Sequence, residues 1–96
     1  MDILRRCTPV FSILQDENRQ QIIVLLFDNG ELSVGSLTDK MPLSRPAVSH
    51  HLKLLHDAGL VAVRKEGKER YYRLELDTAV GLLESLLDSL KNDLRQ

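Results

Sequence analysis

Cysteine occurs once in the 96 residues, at Cys7. One thiol excludes an intramolecular disulfide and any zinc site built from cysteines alone. Long apolar runs are missing too. The longest, Ile22 to Phe27, is far short of the roughly 18–20 residues that span a bilayer. Asp2, Arg5 and Arg6 interrupt the first residues, so they do not read as a signal peptide, and the expected location is the cytoplasm. Neither sign of charge dominates: 13 Lys+Arg against 14 Asp+Glu leave a net charge of −1, which points to no partner. No repeat, low-complexity stretch or Pro/Gly/Ser-rich linker divides the chain, so residues 1–96 read as one domain. A chain of this length buries roughly 60–65% of its unfolded surface, enough for one modest core but not for a two-domain enzyme. Catalytic signatures are absent as well. There is no G-x-S-x-G and no Gly-rich phosphate loop. Ser49 and His50, adjacent on a helix, diverge too far to act as nucleophile and base.

What is present is unevenly placed. Residues 45–73 hold seven Lys/Arg, three Asp/Glu and all three histidines, His50, His51 and His56. A basic segment in an otherwise acidic chain reads either as a solvated surface or as a nucleic-acid face, and its organisation must decide. Ile3, Leu4, Cys7, Val10, Phe11 and Leu14 recur at helical spacing, with Thr8-Pro9 reading as N-cap and first-turn proline. This predicts an N-terminal arm running into a short helix over residues 1–14. Asp16 caps a second helix that ends at Asn29-Gly30. Ser33 caps a short third helix with Leu37 and Met41 inward, stopped by Pro42. Ser44 caps a fourth, with Pro46 in its first turn, Val48, Leu52 and Leu55 as its buried stripe, and Gly59 in a left-handed terminal position. The short link between the third and fourth suits a helix-turn-helix over residues 33–59. Residues 60–76 then alternate around a charged turn at Gly67, predicting a two-stranded hairpin with Tyr72, Leu74 and Leu76 on one face. From Asp77, its N-cap, to Gln96 a last helix carries Val80, Leu83, Leu87, Leu90 and Leu94 in one stripe, widened by Leu82 and Leu86. So much leucine on one terminal helix predicts burial against a second copy of the chain. The fold expected is mainly α with a β-hairpin: a winged helix-turn-helix of about five helices, dimeric through its first and last helices.

The run Leu43-Ser44-Arg45-Pro46-Ala47-Val48-Ser49-His50-His51-Leu52, continued by Leu55 and Ala58-Gly59-Leu60-Val61, resembles the recognition helix of ArsR/SmtB-type transcriptional regulators. The family pattern is close to L-S-Q-P-A-V-S-H-H-L-x-x-L-x-x-A-G-L-V, and the chain departs from it clearly only at Arg45. Gly67 followed by Arg70-Tyr71-Tyr72-Arg73-Leu74 is similar to the family's wing, and Phe11 to Leu26, with Arg19, to its opening helices. The resemblance implies a homodimeric repressor on a two-fold symmetric double-stranded DNA operator. It implies base contacts from Arg45, Ser49 and His50. It implies backbone contacts from Ser44, His51, Lys53, Arg64, Lys65, Lys68 and Arg70, although Ser44 also reads as an N-cap and Arg64 and Lys65 also as ordinary strand-edge charges. An arginine suits guanine O6 and N7 where the usual glutamine suits adenine, so Arg45 predicts an altered operator preference. Tyr72 is expected in the core and Tyr71 nearer the surface.

The family's well-known metal sites are not carried. Ser33 and Gly35 stand where its Cys-x-Cys pair is found, so soft ions lack their thiolates. In the last helix Asp77 and Asp93 remain, but Ala79 and Leu90 stand in place of histidines. His50, His51 and His56 are not spaced for one metal. No metal and no cofactor are expected. Cys7 reads as a small buried apolar residue, with a disulfide between two copies as the other option. Two further readings stay open: a regulator with an atypical thiol or small-molecule site near Cys7 or at the dimer interface, and a winged-helix protein-interaction module that does not bind DNA. The latter would call for an acidic or apolar fourth-helix face. The inducer is not written in the sequence.

Overall fold

The computed structural model describes residues 2–95, and the side chains of residues 93–95 lie outside the description. The order of elements is α1 (Asp2–Leu14), α2 (Glu17–Asn29), β1 (Glu31–Ser33), α3 (Val34–Asp39), α4 (Arg45–Asp57), β2 (Val61–Glu66), β3 (Glu69–Leu74) and α5 (Asp77–Arg95). The three strands form one antiparallel sheet in the order β1-β3-β2.

Helix ends follow their local chemistry. The Asp16 carboxylate accepts from the backbone N–H groups of Asn18 and Arg19 at 2.8 and 3.1 Å, which starts α2. Those bonds hold its pKa below the ordinary aspartate value, the Arg19 N–H being the largest cause. Ser33 and Ser44 cap α3 and α4 in the same manner, through Ser36 N–H and Ala47 N–H. Gly59, at φ +77°, turns the chain out of α4 and lets Leu60 N–H reach the Leu55 carbonyl at 3.0 Å, which buries Leu60. Only residues 41–43 separate the caps Lys40 and Ser44, and α3 packs on α4 as a helix-turn-helix. Gly67, at φ +60°, is the first of the two residues between β2 and β3, where a type II′ hairpin turn requires a positive φ.

One core joins these elements. Ile22 and Leu26 of α2, Leu37 of α3, Val48, Leu52 and Leu55 of α4, Val61 of β2 and Tyr72 of β3 are buried together. Arg19 ties α2 to the end of α1: its Nε–H donates to the Ile13 carbonyl at 2.8 Å, and Gln20 donates to the Leu14 carbonyl at 2.6 Å. Both satisfy carbonyls that a helix C-terminus leaves open.

Three expectations need correction. First, α1 runs straight through Pro9 instead of beginning at it. An interior proline costs about 3 kcal/mol, but Cys7 and Val10 on either side are both buried and bind the helix into the fold. Thr8 is not a cap either, since its hydroxyl donates back to the Leu4 carbonyl at 3.0 Å. Second, β1 is unannounced by the sequence. It pairs Glu31 with Arg73, Leu32 with Tyr72 and Ser33 with Tyr71, partners about forty residues further along the chain. Third, β3 stops at Leu74, leaving Leu76 exposed beyond the strand, and Asp77 is the first helical residue, with Val80 N–H bonding to the Leu76 carbonyl. The face of α5 packed on α1 is Ala79, Leu82 and Leu86, and the stripe expected to meet a second copy stays outside this core: Val80, Leu87 and Leu90 are 45%, 55% and 40% exposed and Leu83 is half-buried. Leu94 and Asp93 lie among the side chains outside the description.

Candidate nucleic-acid interface

Two surfaces meet at a cleft of about 450 Å³: the outward side of α4 and the inner side of the β2–β3 hairpin. The helix supplies Ser49, His50, Lys53 and His56, and the hairpin supplies Val63, Arg70 and Tyr72. Periodicity explains the helix side. Val48, Leu52 and Leu55 are fully buried and fix the rotation of α4, which turns Arg45, Ser49, His50, Lys53 and His56 outward. No carboxylate lines this cleft.

Strand alternation sorts the hairpin's charges. Lys65 stands directly opposite Arg70, and Glu66 directly opposite Glu69. Arg70 lies on the face of Val63 and Tyr72, towards α4, and Lys65 shares that face. Like charges placed opposite one another are destabilising. The acidic pair is compensated. Arg64 Nη1 donates to Glu66 at 2.6 Å, and Arg45 Nη2 donates to Glu69 at 3.1 Å. The basic pair is not, because neither Lys65 nor Arg70 has an ion-pair partner among the described residues. An uncompensated pair of cations facing a helix with exposed polar and basic side chains suits an external anion.

Arg64 stands differently. It spans the outer face of the sheet, donating to Glu31 from Nε at 3.0 Å and from Nη2 at 2.8 Å, and its guanidinium lies 4.5 Å from the ring centre of Tyr71. The Arg64 hydrogen bonds hold the Glu31 carboxyl below its ordinary range and raise the guanidinium's own pKa further. Arg64, though exposed, is engaged in joining β1 to β2 over β3, whereas Lys65, Lys68 and Arg70 are exposed at the hairpin without an ion-pair partner among the described residues.

His50 and His51 part company. His50 lines the cleft, while His51 is half-buried on the flank nearer Asp16, with Nδ1 enclosed and unpartnered. Ser44 is exposed but engaged as a cap. The structure thus brings together Arg45, Ser49, His50, Lys53, Lys68 and Arg70, and leaves His51 apart. His56 and Glu69 were not among the expected interface residues. His56 was legible, since it lies three residues after Lys53 and seven after Ser49, on the same helical face. Glu69 was not, because its partner is 24 residues away.

Ser33 and Gly35 do not supply the thiolate pair that the resemblance would call for at those positions. Ser33 Oγ is occupied in capping α3 and donates to Ser36 Oγ at 3.1 Å, and Gly35 has no side chain. Among the described residues no three His, Cys, Asp or Glu side chains converge. Cys7 is fully buried, with Sγ 3.6 Å from the Leu82 carbonyl between α1 and α5, so a disulfide to another chain would require those helices to part. No described helix is long and apolar enough to cross a membrane.

In sequence and in fold the chain is similar to known proteins. The family model described as "Bacterial regulatory protein, arsR family" matches residues 16–63. Over 90 residues the chain is 33% identical to an HTH-type transcriptional regulator of Methanocaldococcus jannaschii, covering 94% of this chain and 100% of that one. It is 46% identical over 65 residues to the arsenical resistance operon repressor of Escherichia coli, which covers 68% of this chain and 56% of the repressor. Among solved structures, reduced HlyU from Vibrio cholerae superposes with a TM-score of 0.70 at 38% identity, covering 90% of this chain and 88% of that one.

Proposed function

The chain belongs to the arsR family of bacterial regulatory proteins, and from that premise we propose that it is a transcriptional repressor that binds a two-fold symmetric DNA operator as a homodimer. The observation that carries this reading is the acid-free cleft between α4 and the hairpin, with Lys65 and Arg70 opposed and uncompensated beside it. In this reading α4 enters the major groove with Arg45, Ser49 and His50 towards base edges. Lys53, Lys65, Lys68 and Arg70 take phosphates, with Ser44 at the helix N-terminus beside them. Arg64 serves the DNA indirectly, by stiffening the hairpin. His51 supports α4 from behind.

The dimer uses the surface that the core leaves bare. Val80, Leu87 and Leu90 of α5 are exposed beside the half-buried Leu83, and Leu4 and Phe11 of α1 are exposed on the helix packed against α5. Leu94 extends the same sequence stripe. An apolar face of this extent suits a second copy, and two-fold pairing presents two α4 helices to successive half-sites.

Ser33, Gly35, Ala79 and Leu90 stand where the resemblance would place metal ligands, so the proposal assigns no metal-triggered release at those positions. Selection of random duplex DNA on the purified protein tests the proposal. The expected result is an enriched two-fold symmetric site whose affinity falls steeply with salt, at about −0.9 in log–log slope per phosphate neutralised. Enrichment of nothing, with weak binding at every salt, would count instead for a protein-interaction module.

A further inference from the structure

Glu69 is an acid at the edge of a surface otherwise arranged for an anion. It stands opposite Glu66 at the hairpin tip, where two carboxylates repel each other and where DNA phosphate would repel both. Its carboxylate accepts one hydrogen bond, from Arg45 Nη2 at 3.1 Å, across 24 residues of sequence. The two side chains rest over Gly35 in the first turn of α3, and a Cβ there would stand 3.7 Å from both Arg45 Nη1 and Glu69 Oε2. A second cleft, of about 230 Å³, opens beside the pair and is lined by Arg45, Ser49, Lys68, Glu69 and Arg70. The contact therefore ties the first residue of α4 to the wing at the place where base reading is proposed.

We infer that Glu69 is a specificity-determining residue that positions Arg45 for base recognition. A guanidinium carries five N–H donors in a fixed plane. Glu69 engages one, which leaves enough of the fork to address guanine O6 and N7 together. Both side chains are partly exposed, so the pair adds little to stability, and its consequence is orientation. A lone arginine at the start of a helix has many rotamers and contacts phosphate as readily as a base. Held towards the wing, it has fewer orientations and addresses one base pair. The negative charge also discourages approach to any DNA on which Arg45 does not find its base, which lowers background binding.

This inference rests on the proposed function, and the test separates the two. Affinities would be measured for the selected site and for duplexes altered one base pair at a time, with wild type, Arg45→Ala, Glu69→Ala and Glu66→Gln. Arg45→Ala is expected to erase the preference at one base pair in each half-site. Glu69→Ala, which removes the acceptor as well as the charge, should cut that same preference about fivefold to tenfold, within the range of one bidentate contact, while affinity for unrelated DNA rises. Glu66→Gln removes the same charge from the opposite strand position, and should raise affinity for unrelated DNA without touching the preference. Adding Glu69→Ala to Arg45→Ala should change the preference no further. If Arg45→Ala erases a preference that Glu69→Ala leaves intact, the inference is overturned and the repressor reading stands. If a site is selected but Arg45→Ala alters no position, the inference fails because Arg45 reads nothing. If no site is selected, the repressor reading fails and the inference falls with it.

Discussion

Arg64 and Arg45 have the same side chain, both lie next to the hairpin, and they are engaged differently. Arg64 bonds two glutamates and covers Tyr71, whereas Arg45 has a single partner and a more exposed side chain. The first arrangement has a pH signature. Glu31 titrates below its ordinary value because Arg64 bonds its charged form. A depressed carboxylate contributes stability that is complete above the unfolded pKa and lost as pH falls through the folded one. Stability should therefore decline from about pH 4.3 downward. Arg64→Ala should lower the melting temperature at neutral pH and flatten part of that acid decline, while Asp16 retains its share in both proteins. Thermal melts from pH 7 to pH 3 check this, and equal acid slopes would remove Arg64 as the cause. Core residues set the other extreme. Leu52 is fully buried at the centre of α4's inner face, so Leu52→Ala should cost about 2–5 kcal/mol in denaturant unfolding. A loss below about 1 kcal/mol would mean that α4 is not held by this stripe.

For the elements, the hairpin and α4 were largely written in the sequence. A period near 3.6 with a serine cap and Gly59 marks α4, and a period of two around Gly67 marks the strands. Their mutual placement was not written, because it rests on tertiary contacts: α4 packs on β2, and β3 pairs with β1, three residues with no readable period. The alternation nevertheless dictates that Lys65 and Arg70 share a face, and that frustration is a prediction about the element. Lys65→Gln should leave the protein as stable or stabilise it by up to about 0.5 kcal/mol, through relief of like-charge repulsion. The same substitution should weaken operator binding and reduce its salt slope by about 0.9 for each bound protomer. Denaturant titration and salt-dependent binding measured on one preparation would show both. Marked destabilisation with an unchanged slope would make Lys65 a structural residue.

Across the whole molecule the elongated envelope, 54 × 23 × 21 Å, is consistent with a body carrying the α1–α5 pair at one side. A single chain of this shape leaves part of that pair bare. Leu87 is more than half exposed, so Leu87→Glu should fold normally. It should sediment as a monomer at concentrations where wild type is a dimer, and bind a two-fold operator no better than a half-site. Sedimentation and operator binding of the variant test this together. A Leu87→Glu dimer of unchanged affinity would move the interface elsewhere on the surface.

Residue types and their spacing alone determined most of the secondary structure, the buried stripe of α4, the outward set Arg45, Ser49, His50 and Lys53, and the want of thiolates at Ser33 and Gly35. These are local properties, set by periodicity, capping and side-chain chemistry within a few residues. Tertiary structure decided the rest. It carried α1 through Pro9, chose Ala79, Leu82 and Leu86 over Val80 and Leu87 for the inner face of α5, and set His51 apart from His50. It also joined Arg45 to Glu69 and Arg64 to Glu31, pairs separated by 24 and 33 residues. A helix with two apolar faces does not specify which one turns inward, and an arginine does not specify which glutamate it will meet. Both are settled only when packing the core fixes how the elements are rotated against one another.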